Sequence, residues 1–374
     1  MDDLKDRYIA TMILHAVGDT IGFKNSDWEF KTQKNNDDSS LEKLYEFINL
    51  GASSISLKNW IVSDDTVLHI KIAEALTSNY SSIPQLIEIS KEKLLEGYEQ
   101  FLEEGIDKRY PGKTTLDSLK KIKINQQLEY NNMNGGSGAS MRCSCIGLAF
   151  YDNLDKLMEV SIETSRITHN NAIGLLGGFV AALFTSYAIT DVPINEWPFK
   201  LIDLLKSGYV ENYIKKVGID VENYMKDQPI FLDKWIKYIE DRFNYKQEPI
   251  KRKSMTNIVY RNKYYKENFG FKKEIKRTSG QSTYVSMSDF IGSGGDDSVI
   301  IAYDCLLDSD HNWEKLIIYA MLHMGDTDTT GCIAGSWFGT LYGLKYIGNN
   351  FTKYLEYKQE LLLLAEKLYN MYKK

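Results

Sequence analysis

Eighteen residues in the middle of the chain constrain the fold more than any others: Ala172 to Ile189, AIGLLGGFVAALFTSYAI, carry no charge and are nearly all apolar. A run of this length reaches the lower limit of about 17–25 residues for a membrane-spanning helix. Gly174, Gly177, Gly178, Thr185 and Ser186 are spread through it, however, and no second stretch like it occurs in the sequence. A helix buried on all sides has the same composition. The glycines favour that reading, because they let neighbouring helices approach closely. The remaining chain must then wrap it. With 374 residues, 43% of them hydrophobic, it can do so as one compact unit. Only six prolines occur, which favours helices over a sandwich of short strands. The expectation is an all-α bundle forming a single domain over residues 1–374.

Helical spacing recurs along the chain. Leu4, Tyr8, Ile9, Met12, Ile13 and Ala16 share a face, and Gly18 stands where a C-cap glycine belongs. Residues 24–50 are polar and read as a surface loop around Lys34–Ser40. A second helix follows Ser63, with Val67, Ile70, Ala73 and Leu76 on one side. Further patterns cover about 83–104, 114–127, 139–150, 153–168, 171–190, 196–207, 231–242, 297–308, 312–324, 329–345 and 351–372. Few strands suggest themselves. Residues 243–290 differ: between Lys251 and Arg277 there are ten basic and two acidic residues, mixed with tyrosines. No nucleic-acid motif accompanies them and the net charge is −6. A solvated, irregular excursion is favoured over a nucleic-acid patch. Four scattered cysteines and an acidic N-terminus without a visible targeting segment fit a reducing cytoplasm.

Two short acidic motifs stand out: Ser63-Asp64-Asp65-Thr66 and Asp326-Thr327-Asp328-Thr329. Each opens a helical pattern, and capping explains one acidic or hydroxyl residue at such a place. Each motif carries two carboxylates, however, and adjacent carboxylates repel unless a cation lies between them. A hard divalent ion prefers such oxygen ligands. Spacing alone places metal binding somewhat above capping. Two glycine-rich segments also precede helices: Asn134-Gly135-Gly136-Ser137-Gly138-Ala139-Ser140-Met141-Arg142 and Gly292-Ser293-Gly294-Gly295-Asp296-Asp297. Exposed amides at a helix start bind phosphate. Neither segment fits G-x-G-x-x-G after a strand. Gly112-Lys113-Thr114 fails as a P-loop, because Asp107 replaces the required glycine.

Taken in order, these segments resemble the ADP-ribosylglycohydrolase family. The shared marks are Gly18-Asp19-Thr20-Ile21-Gly22, residues 63–66, the glycine loop ending in Met141-Arg142, Thr168-His169, and Gly325 to Thr329. The resemblance spans about residues 8–345. Within the family the chain is most similar to the ADP-ribosylarginine hydrolases, through Trp28-Glu29-Phe30, Val62 to His69 and Ile301-Ala302-Tyr303-Asp304. It departs from that branch at Asn170-Asn171-Ala172 and at Asp296, where histidine is common.

The resemblance implies a compact orthogonal helical bundle with a binuclear metal cleft. Ser63, Asp64 and Asp65 would bind one Mg²⁺, Asp326 and Thr329 the other, with Asp328 between them; Mn²⁺ takes the same oxygen ligands. ADP-ribose would lie along Asn134, Gly135, Gly136, Ser137, Gly138, Ala139, Ser140 and Met141, beside His169, with its adenosine half near Ser293, Gly294, Gly295 and Asp296. Asp64 or Asp65 would help deprotonate a water. Glu29 is a candidate gate, Asp19 and Asp304 are hydrogen-bonding supports, and Cys143 and Cys145 are packing residues. The implied activity is hydrolysis of the ribose–arginine bond in mono-ADP-ribosylated proteins by a cytoplasmic monomer that releases ADP-ribose. The competing readings are a serine or O-acetyl linkage, or a non-catalytic ADP-ribose-binding protein.

Overall fold

The central apolar helix is where the computed structural model begins to explain the rest. That model describes residues 3–28, 45, 48–51, 54–276, 282–287 and 290–373. Glu29 and Phe30 lie outside the described residues. Its main helices are α1 (Asp3–Phe23), α2 (Asp64–Leu76), α3 (Ile83–Glu104), α4 (Lys113–Lys123), α5 (Ser144–Ala149), α6 (Leu154–Arg166), α7 (Ala172–Ile189), α8 (Trp197–Lys206), α9 (Tyr209–Val217), α10 (Val221–Arg242), α11 (Ile258–Asn268), α12 (Asp297–Ser309), α13 (Trp313–Ala320), α14 (Thr327–Tyr342) and α15 (Lys358–Tyr372). The fold is the expected all-α orthogonal bundle.

Helix α7 starts at Asn171, whose side chain accepts from the Ile173 amide at 2.9 Å. It is 94% buried within the fold and packs against α5, α6, α10 and α14. Each fully buried Leu or Phe on it contributes about 1.5–3 kcal/mol. Its glycines allow the close contacts the sequence suggested. A Cβ on Gly177 would lie 2.4 Å from the Gly295 oxygen, so the second glycine segment rests directly on this helix.

Helix α1 differs from its expected form. It does not stop at Gly18 but continues to Phe23. Gly18 is a contact residue instead: a Cβ there would lie 2.1 Å from the Gly331 oxygen on α14. Gly22, Gly335 and Gly339 make equally close approaches, to Thr327, Leu14 and Ala10 respectively. The two helices therefore pack backbone against backbone, and this brings the start of α14 beside Asp19 and the start of α2.

The region expected as a continuous helix over 139–150 is a 3-10 turn, Ser137–Arg142, followed by the short α5. Helix α10 begins ten residues before the expected 231 and contains Pro229. Within 243–290 part of the chain is regular. Helix α11 buries Arg261, Tyr264 and Tyr265, and Phe271–Lys276 pairs antiparallel with Ser282–Met287 as a hairpin, β1 and β2. Arg261 escapes the solvated role assigned to its neighbours because Asp304 and Asp308 pair with it inside the core.

Candidate metal centre and ligand cleft

The start of α2 shows which residues do the capping. The Ser63 hydroxyl accepts from the Asp65 amide at 3.1 Å. Asp19, reaching over from α1, accepts from the amides of Ser63 at 3.0 Å and Thr66 at 3.1 Å, and from the Thr66 hydroxyl at 2.5 Å. Together they take the Ser63, Asp65 and Thr66 amides, which leaves the Asp65 carboxylate without a capping task; the Asp64 carboxyl accepts from its own amide and from that of Gly112. At α14, Asp326 occupies the cap position and its side chain makes no cap bond. The Asp328 carboxylate accepts from the Thr329 amide at 2.9 Å. Ser137 in the first glycine segment donates to Asp326 at 3.3 Å, tying that loop to the second acidic motif.

All four carboxylates are buried, Asp64 5%, Asp65 3%, Asp326 6% and Asp328 3% exposed. Burial pushes the carboxyls of Asp64, Asp65 and Asp328 well above the usual range. The negative charges of neighbouring aspartates add to the shift: Asp19 on Asp64, Asp328 and Asp64 on Asp65, and Asp326 on Asp328. Burial likewise raises Asp19 to about 6. Among the described residues, no basic side chain forms an ion pair with Asp64, Asp65 or Asp328. Nor, among those residues, do three His, Cys, Asp or Glu side chains converge as a ready-made cation cage. The donors come instead from two facing helix starts and include hydroxyls. The buried Arg142 guanidinium lowers the Asp64 pKa only in part, and buried, mutually repelling oxygen ligands of this kind fit a hard divalent ion, which would lower their pKa values further and relieve the repulsion.

The acidic residues line one end of a cleft of about 440 Å³. Its walls include Asp64, Asp65, Asp326, Asp328 and Thr329, then Gly136, Ser137, Gly138, Met141, His169 and Ser293. Ser63 lies beneath as the α2 cap. Asn134, Gly135, Ala139, Ser140, Gly294 and Gly295 do not line this cleft, and Gly135 lines a second one. Ser137 N–H donates to the Ser293 oxygen at 2.8 Å, and Gly295 N–H to the Gly135 oxygen at 2.8 Å. The two glycine segments, separate in sequence, are thus one hydrogen-bonded wall. Asp297 shapes the second of them, accepting from Gly292 N–H and Gly294 N–H at 2.9 and 2.7 Å.

Asp296 faces elsewhere. Its carboxylate pairs with Lys234 at 2.6 Å in a second cleft, because α10 carries the lysine to that side of the wall. Asp304 is likewise remote from the cleft lining. It accepts from Tyr238, Arg242, Arg261 and Tyr265 in the core. All four cysteines are free and buried. Cys332 was not singled out from sequence, yet its thiol lies 3.4 Å from Asp65.

A family model described as ADP-ribosylglycohydrolase matches residues 1–374. The chain belongs to the ADP-ribosylglycohydrolase family. It is 34% identical over 98% of its length to ADP-ribosylhydrolase ARH1 of Dictyostelium discoideum, covering 94% of that protein. It is 36% identical over 88% of its length to an Acanthamoeba polyphaga mimivirus protein provisionally named an ADP-ribosyl glycohydrolase, and spans 63% of that protein. A solved ADP-ribosylglycohydrolase-related protein complex shares the fold, with a TM-score of 0.58, 16% identity and 99% coverage of both chains.

ADP-ribosylglycohydrolases hydrolyse ADP-ribose linkages and generally use divalent metals. In this one, the cleft also includes residues that sequence reasoning passed over: Tyr110, Gly112, Lys113, Thr114, Thr115 and Phe290. Gly112-Lys113-Thr114 drew attention only as a failed P-loop. The available signal was different: a glycine N-cap without a side-chain cap bond, opening α4 towards the cleft.

Proposed function

We propose that this ADP-ribosylglycohydrolase is a Mg²⁺-dependent hydrolase that cleaves the N-glycosidic bond between ribose C1 and an arginine guanidinium in mono-ADP-ribosylated proteins. The observation that carries the reading is the meeting of two acidic helix starts with one glycine wall in a single cleft. The arginine linkage is supported by the motif surroundings at Trp28, Val62–His69 and Ile301–Asp304. The enzyme would act as a cytoplasmic monomer, taking a modified protein as substrate and releasing ADP-ribose.

Ser63, Asp64 and Asp65 on one side, and Asp326, Asp328 and Thr329 on the other, would hold the ions. Bound there, Mg²⁺ supplies Lewis-acid polarisation and orientation at the ribose; Mn²⁺ suits the same ligands. The chain's own residues do the rest. The Asp64 or Asp65 carboxylate accepts the proton of the attacking water. The remaining carboxylates stabilise the positive charge that builds at C1 and the ring oxygen as the bond to nitrogen breaks. Gly138, lacking a Cβ, leaves room for the His169 ring beside the wall, and Ser137 and Ser293 line the same cleft.

Assays on arginine-, serine- and O-acetyl-linked ADP-ribose, each with Mg²⁺, Mn²⁺ or chelator, test the proposal. Metal-dependent release from arginine is expected. Asp65→Asn and Asp328→Asn should each lower kcat/KM about 100-fold or more while the melting transition persists. Near-wild-type turnover in both variants would sink the two-ion account. Release only from serine or O-acetyl substrates would move the linkage, and binding of ADP-ribose without turnover on any of them would make the protein a reader.

A further inference from the structure

We infer that Thr168 and Arg142 are positioning residues that hold His169 as the neutral ring with its proton on Nε2, offered to the cleft as a donor to an anionic oxygen of the ligand. This inference rests on the reading that ADP-ribose occupies the cleft. The starting point is an unpartnered atom. His169 is 2% exposed and lines the cleft, and among the described residues its hydrogen-bonded ring atom is Nδ1, 2.8 Å from the Thr168 hydroxyl. Among the described residues Nε2 has no hydrogen-bond partner. Its edge of the ring lies against Gly136 and Gly138: a Cβ on Gly138 would sit 2.6 Å from Cε1 and 3.0 Å from Nε2, and one on Gly136 3.5 Å from Nε2. Glycine at 138 is what leaves room for the ring in this place.

The tautomer follows from counting protons along the chain of bonds. Arg142 is fully buried and can only donate. Its guanidinium donates to the Gly138 and Thr164 carbonyls at 2.7 and 3.0 Å, and to the Thr168 hydroxyl oxygen at 2.7 Å. Thr168 Oγ1 therefore accepts from Arg142, and among the described residues its own proton has one acceptor within reach, His169 Nδ1. A ring that accepts at Nδ1 carries its single proton on Nε2. Burial, reinforced by the Arg142 charge, lowers the His169 pKa to about 3, so the neutral ring is present across the working range of pH. Ser118 donates to the Thr168 carbonyl at 2.7 Å and pins the pair against α4. The Met-Arg and Thr-His segments, far apart in sequence, thus form one relay ending at the glycine wall. The phosphate and ribose oxygens of ADP-ribose are the acceptors such a donor takes.

Nitrogen NMR of the free, full-length protein labelled at its five histidines, with His169→Gln to assign the signal, reads the tautomer directly. A protonated Nε2 and a bare Nδ1 are expected in wild type and in Thr168→Ser; Thr168→Val should lose this preference. In parallel, KM for the ADP-ribosylated substrate should rise about tenfold in Thr168→Val, the worth of one hydrogen bond, with kcat within about twofold, and return towards wild type in Thr168→Ser. A wild-type ring protonated at Nδ1 would overturn the relay even if Thr168→Val failed to fold, and so would an unchanged KM in a folded Thr168→Val. If the Nε2 proton is found but ADP-ribose does not bind, the relay stands as geometry and the ligand assignment falls.

Discussion

At the scale of single residues, Asp19 decides how the acidic motifs are to be understood. By bonding the Ser63 and Thr66 amides it shares the capping with the Ser63 hydroxyl, so that Asp65 is not needed for it. Outer residues that orient ligands typically affect metal affinity about 10–100-fold. Calorimetry on Asp19→Asn should therefore show Mg²⁺ affinity reduced about 10–100-fold, whereas a pure cap would leave it unchanged. The raised carboxyls also make stability depend on pH. A carboxyl whose folded pKa is raised holds a proton that the unfolded chain releases, so stability is greatest in acid and is lost as pH rises through the folded value. For Asp19 that window runs from its ordinary 3.8 to about 6, and Asp64, Asp65 and Asp328 extend it upwards. Metal-free protein should melt at progressively lower temperature as pH is raised through this window. Mg²⁺ at about 100 times its Kd should add about 2.7 kcal/mol near neutral pH and flatten the dependence.

At the scale of elements, contact between helices sets where the site lies. The sequence pattern correctly places α2, α7 and α12, whose apolar spacing is local. It misassigns Gly18, because a glycine that ends a helix and one that admits a neighbouring helix look alike until the neighbour is known. Gly335 tests the α1–α14 contact. A Cβ there would lie 2.2 Å from the Leu14 oxygen, so Gly335→Ala should cost about 1–3 kcal/mol in urea unfolding. It should also reduce turnover, since α14 carries Asp328 and Thr329. If neither changed, the two helices could separate freely and the contact would not position the site. The glycine wall offers a similar test: Gly138→Ala would press on the His169 ring and on Thr115 Oγ1, 2.9 Å away, and should raise KM more than it lowers kcat.

At the scale of the whole molecule, a buried ionic cluster joins the basic segment to the bundle. Asp304 is paired with Arg242 and Arg261 at 2.8 and 2.7 Å, all three nearly inaccessible. Removing it leaves Asp308 as the one remaining carboxylate set against two buried guanidinium groups among the described residues, so Asp304→Ala should cost about 3–5 kcal/mol of stability. Turnover per folded molecule should stay near wild type, because Asp304 does not line the cleft. Sequence by itself determined the helical class, the buried α7, the family and the identity of the acidic and glycine-rich segments, because each depends on residue types at short spacing. Only the tertiary structure decided which carboxylates cap and which remain available, that two glycine loops make one wall, that Asp296 turns towards Lys234, and that α4 opens on the cleft. Those outcomes depend on which donor meets which acceptor across the fold, and residues 40 to 300 positions apart in the chain give no local sign of it.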